Sequence, residues 1–142
     1  MKKLILSVAM LMAAIVPSFA CTNLIVTPGA STDGSTLVSY SADSYGMFGH
    51  LCHYPAAIHP KGTMRPIHDW DTGKFLGNIA EAERTYNVVG NINEHQVTIA
   101  ETTFTGREEL IDTTGIMDYG SLIYVGLQRS RTAREEIGRA HV

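Results

Sequence analysis

The sequence predicts an α+β protein, and three observations carry that expectation. Strand-forming runs at 22–27 and 36–40 are separated by the turn signals Pro28-Gly29 and Asp33-Gly34. Two further apolar segments, 86–89 and 96–100, flank a turn at 91–94 and read as a second strand pair. Beyond them Leu122, Ile123, Val125, Leu127 and Ala133 recur near helical spacing, with arginines between, which predicts a helix over 121–135. Strands first and a helix after them is the α+β pattern.

The first 20 residues are set apart as a signal peptide. Lys2 and Lys3 form a charged start, residues 4–16 an apolar run, and Ser18-Phe19-Ala20 places small residues where a signal peptidase inspects the chain. The run is about 13 residues, shorter than the roughly 20 that a spanning helix needs, so a retained anchor is not expected. Cleavage after Ala20 makes Cys21 the first residue of an exported protein, periplasmic or secreted. A thiol and a free α-amine then share one residue, the minimum equipment of an N-terminal nucleophile. Two other fates of Cys21 stay open. Lipidation would acylate the amine, although Ser18 and bulky Phe19 depart from the usual lipobox. A disulfide to Cys52 is the one intramolecular pairing two cysteines allow in an oxidising compartment.

Composition bounds the remaining 122 residues of the 142-residue chain. They suffice for one small domain with a core. Losing Lys2 and Lys3 takes the formal charge from −3 to −5. A mildly acidic surface argues against nucleic acid or an anionic membrane as the main partner.

Taken in order, the first two strands and their short connection read as a hairpin that holds Cys21 at a strand end. A nucleophile needs that rigidity, because chain termini are loose unless a sheet ties them down. Residues 44–82 carry many glycines, prolines and histidines and are expected as long loops with short strands around a pocket. His50, His53, His59 and His68, with Cys52 among them, invite a metal reading. They lack a second ligand pair at zinc spacing, and Pro55, Pro60 and Pro66 imply extended loops, so no metal is expected. Trp70 is placed to pack beneath such a loop.

Several segments together carry a family resemblance. They are Cys21-Thr22-Asn23-Leu24-Ile25-Val26, Thr32-Asp33-Gly34-Ser35-Thr36, Asn93-Glu94-His95 with Glu101-Thr102-Thr103, Met117-Asp118-Tyr119-Gly120-Ser121-Leu122-Ile123, and Thr132-Ala133-Arg134. In order and spacing they resemble the secreted cysteine dipeptidases, N-terminal-nucleophile hydrolases related to penicillin V acylase and bile salt hydrolase. The resemblance runs over 21–135. It implies the N-terminal part of an αββα sandwich, incomplete here, from a polypeptide several times longer, and a fragment inactive on its own. It implies a small peptide as substrate and no cofactor. Cys21, Asp43 and Thr103 then form the catalytic set: Asp43 orients the amine and Thr103 offers its backbone N–H to the oxyanion. Glu101 and Asn93 are placed at the substrate pocket, although Asn93 is better suited to shaping the turn between strands than to touching substrate, and Glu101 suits a structural role equally well. Relatives often carry arginine where Tyr40 stands, which removes a guanidinium contact.

The last residues, 136–142, are expected to be a non-native tail. Back-translated as GAG ATC GGA AGA GCA CAC GTC, they reproduce a common sequencing-adapter sequence. Free α-amines titrate near 7.7–8.0 and thiols near 8.5, so at neutral pH the amine can take the thiol proton directly or through water. The expected activity is therefore hydrolysis of dipeptides by Cys21. The alternatives are an amidase for bile salts or penicillin side chains, and an exported non-catalytic module with Cys21 lipidated or joined to Cys52.

Overall fold

The computed structural model describes residues 21–43, 49–102 and 106–140, the side chains of 139 and 140 aside. The expected signal peptide lies outside that set. Strand β1 (Thr22–Val26) pairs antiparallel with β2 (Leu37–Ser41), from Thr22↔Ser41 to Val26↔Leu37. The connection tightens where Ala30 donates to the Thr27 carbonyl at 2.9 Å. It turns again at Gly34, whose φ of +76° a side chain would resist. The expected hairpin is present, and Cys21 sits immediately ahead of β1. Successive side chains point to opposite faces, and both faces carry open apolar groups, with Leu24 61% and Ile25 65% exposed.

Residues 53–89 form more strand than expected. Strands β3 (His53–Tyr54) and β4 (Ala57–Ile58) face β8 (Val88–Val89) and β7 (Arg84–Thr85) in one continuous antiparallel register. Pro55 has no N–H to donate, which interrupts the ladder without shifting it. Past a turn at 60–63, β5 (Met64–His68) pairs with β6 (Phe75–Ala80), and the tip at 69–74 closes on Asp69. The Asp69 carboxylate accepts from the Thr72 amide at 2.8 Å and the Thr72 hydroxyl at 2.6 Å, and these bonds hold it below the usual carboxylate range.

The second strand pair differs from expectation. Strand β8 pairs with β9 (Ile92–Asn93) across a turn at Gly90 and Asn91, and 96–100 contributes a single bridge, Thr98 to Ile92. The reason lies in Asn93. Its carboxamide oxygen accepts from the His95 and Val97 amides, both at 3.0 Å, so the chain coils around it and Gln96 takes a φ of +63°.

The expected helix over 121–135 is two helices. Helix α1 (Tyr119–Arg129) starts at Asp118, which accepts from the Ser121 amide at 2.8 Å. It ends at Ser130, whose backbone is extended. The Ser130 hydroxyl takes the Gly126 carbonyl at 2.8 Å, and the Asn93 amide takes those of Leu127 and Ser130. With those carbonyls occupied, the helix stops. It restarts as α2 (Ala133–Ala140), with Thr132 Oγ1 accepting from the Glu135 amide at 3.1 Å. Helix α2 runs on through 136–140, because Glu136, Ile137, Arg139 and Ala140 continue a helix readily and outweigh the cost of about 1 kcal/mol at Gly138.

The core forms where α1 lies across β7, β8 and β9. Val88 and Leu127 are fully buried, with Val97, Ile123 and Tyr124 around them. The end of α1 is tied to the ribbon by charge. Arg129 pairs with Glu81 at 2.8 Å, Arg65 reaches the same carboxylate at 3.7 Å, and Arg65 donates to Gln128. The set of small sheets and two helices is an α+β arrangement.

Candidate active site

A cleft of about 1040 Å³ opens between the β1–β2 hairpin and the face of α1. Cys21, Tyr40 and Asp43 line it from the hairpin side, together with Glu101. The segment at 101–102 is stitched to the start of β1 by two hydrogen bonds. Asn23 donates to the Glu101 carbonyl at 2.6 Å, and Thr102 donates to the Cys21 carbonyl at 3.0 Å. These contacts set the Glu101 carboxylate against the thiol, which donates to Oε1 at 3.7 Å. Tyr40 donates to the same oxygen at 3.0 Å.

The opposite wall is aromatic. Trp70 stacks on Tyr124 with centroids 5.0 Å apart, and the Tyr119 hydroxyl donates to Asp71 at 2.9 Å. Burial first, then the Glu101 hydrogen bond, pushes the Tyr40 hydroxyl well above its ordinary value. Tyr119 is pushed up to about 12 by burial and by Asp71, and Tyr124 rises through burial with the Cys52 thiol beside it. Each therefore stays a neutral O–H donor across the neutral range.

Gly120 makes that wall possible. A Cβ there would lie 2.7 Å from Trp70 Cγ and 2.9 Å from Trp70 Cβ, atoms too near the backbone to swing away. Gly120→Ala gains about 1 kcal/mol of helix propensity but forces an overpacking cost of about 1–3 kcal/mol. We expect a net lowering of the thermal midpoint, with loss of the near-UV signal of the Trp70–Tyr124 stack. An unchanged melt and an unchanged stack would show that the indole has room to yield.

Of the residues singled out in the sequence, Cys21, Asp43 and Glu101 are brought to one cleft. Asp43 accepts from the Ser41 hydroxyl at 3.0 Å. Thr103 lies outside the described residues. Asn93 corrects the expectation of a pocket role. It is 5% exposed, is not part of the cleft lining, and both faces of its carboxamide are committed to backbone. Cys21 and Cys52 are both free thiols on the same cleft. His50 stands 3.4 Å from Cys52, His53 bonds Asn87 at 2.8 Å and His59 bonds Thr85 at 3.1 Å. Among the described residues no three His, Cys, Asp or Glu side chains gather as a metal site. Sequence reasoning missed Asp71, Tyr119 and Tyr124 as cleft residues. The available signal was the i, i+4 pairs Tyr119–Ile123 and Gly120–Tyr124, which share a helix face.

A thiol held at a strand start against a carboxylate, facing an open cleft, has the parts of a hydrolase site. The model of Peptidase family C69 matches residues 20–52 and 47–140, and the chain belongs to that family. The protein is thus a peptidase. Neither the curated proteins nor the solved structures compared with the chain gave a match.

Proposed function

We propose that the protein is an exported cysteine dipeptidase whose nucleophile is Cys21, freed by cleavage after Ala20. The observation that carries this reading is the placement of the Cys21 thiol at the head of β1, in the cleft, 3.7 Å from Glu101. The family match beginning at residue 20 agrees with it. Among the described residues no helix is long and apolar enough to cross a membrane.

The reaction follows from the groups at hand. The α-amine of Cys21 takes the thiol proton, and the sulfur attacks the scissile carbonyl carbon of a dipeptide. The tetrahedral oxyanion is met by backbone N–H donors, a role assigned to Thr103. As the C–N bond breaks, the ammonium of Cys21 returns its proton to the leaving nitrogen. Water then attacks the thioester, releasing the acid and restoring the thiol. Asp43, on the same cleft, is assigned to orienting the amine. An N-terminal nucleophile of this kind belongs to the αββα sandwich class, with penicillin V acylase and bile salt hydrolase as kin.

Intact mass and N-terminal sequencing of the exported protein test the reading. The expected product starts at Cys21 with a free amine and a free thiol. A diacylglyceryl-cysteine, or a mass two hydrogens short that marks a Cys21–Cys52 disulfide, would remove the mechanism, since either occupies a group it needs.

A further inference from the structure

The cleft's charge and the distance from its thiol to its nearest carboxylate specify more than a peptidase. Asp43, Asp71 and Glu101 line the cleft, and its described lining contains no lysine or arginine. Asp43 and Asp71 are each engaged through Oδ1, by Ser41 and Tyr119. On Glu101 the two donors, the Cys21 thiol and the Tyr40 hydroxyl, both fall on Oε1. Among the described residues neither reaches Oε2. One carboxylate oxygen is therefore used to hold the nucleophile, and the other is left beside the reacting centre.

Covalent geometry says what belongs there. Attack requires the scissile carbon about 3–3.5 Å from the sulfur. The α-nitrogen of the same residue is two bonds further on, about 2.5 Å from that carbon, from N–Cα and Cα–C lengths near 1.5 Å. With Oε1 3.7 Å from the sulfur, the same carboxylate has its second oxygen free to come within ion-pair reach of that nitrogen. We propose that Glu101 is the specificity-determining residue that binds the free α-ammonium of the substrate's first residue. Tyr40 acts through it as a positioning residue. This rests on Cys21 being the nucleophile, as proposed above. The consequence is a fixed register: the cut falls after the first residue. An N-acyl group, or any residue added ahead of the first, puts a neutral amide where the ammonium belongs and leaves Glu101 desolvated without a cation.

Two measurements on the full-length protein and its Glu101→Gln variant test this. The first compares kcat/KM for a free dipeptide and for the same dipeptide N-acetylated. The wild type is expected to favour the free form strongly, and Glu101→Gln to shrink that ratio by roughly ten- to hundred-fold, mostly through KM, with partial recovery in Glu101→Asp. A ratio unchanged in Glu101→Gln overturns the proposal, because loss of a purely structural contact, or of one to the enzyme's own amine, lowers both substrates alike. The second needs no turnover: Cys21 is labelled with a cationic aminoethyl and an anionic sulfonatoethyl methanethiosulfonate. The cationic reagent is expected to react faster, and Glu101→Gln to narrow the gap by about ten-fold. A gap that Glu101→Gln leaves unchanged overturns the cation site. A charge preference lost in Glu101→Gln, in a wild type that hydrolyses no dipeptide, supports the cation site and removes the peptidase mechanism instead.

Discussion

Cys21→Ala is expected to abolish dipeptide hydrolysis in enzyme that otherwise turns dipeptides over, by about 10⁴-fold or more. No other described group can take the place of the sulfur. Cys52 is on the same cleft, but it lies next to His50 and Tyr124, away from the Glu101 contact that marks the reacting position. The fold should be indifferent to the change. Cys21 is half-buried, stands outside the core around Val88 and Leu127, and gives up one weak S–H contact on truncation. Its stability cost is expected within about 0.5–1 kcal/mol, so thermal unfolding should separate lost chemistry from lost structure. Cys21→Ser should keep a trace of activity, since a hydroxyl is a poorer nucleophile than a thiol near neutral pH. Substantial turnover in a folded alanine variant would end the assignment of Cys21 as nucleophile.

The largest effect on stability is expected at Asn93. Its carboxamide makes four hydrogen bonds to backbone: it donates to the Leu127 and Ser130 carbonyls at 2.8 and 2.7 Å and accepts from the His95 and Val97 amides. It links the tip of β9 to the end of α1; the bonds to Leu127, Ser130 and Val97 are buried and that to His95 is half-buried. Asn93→Ala leaves those groups without partners, at about 1–3 kcal/mol for each that water does not reach. A total of about 3 kcal/mol or more follows, read as a lower denaturant midpoint. Asn93→Asp is expected to be at least as harmful, because it aims a carboxylate at two carbonyl oxygens. A small effect in both variants would mean that the helix end is held by Ser130 and the Arg129–Glu81 pair alone.

The same residue shows where sequence reading runs out. Asn93-Glu94-His95 drew attention as a motif, and its place in a turn between strands was legible. That the side chain faces the helix terminus instead of the pocket depends on α1, more than 30 residues further along. The helix itself was visible from its apolar spacing. Its end was not, because Ser130 breaks it with a bond to Gly126 and a partner from another element. Likewise the strand expected at 96–100 yields to a loop wrapped around the Asn93 oxygen. Residues 44–82 read as long loops with short strands because prolines, glycines and histidines punctuate them. Their pairing is a matter of register between distant segments, which local pattern does not encode.

By itself the sequence determined the features that neighbouring residues control. These are the β1–β2 hairpin with its turns, the apolar spacing of α1, and a cysteine at the head of a strand. Each depends on contacts within a few positions, so periodicity and turn chemistry suffice. Only the tertiary structure decided that Glu101 and Tyr40 meet Cys21, and that Trp70, Tyr119 and Tyr124 form the facing wall. Eighty residues separate Cys21 from Glu101. The bonds that join them, from Asn23 and Thr102, exist only once the chain has folded back on itself.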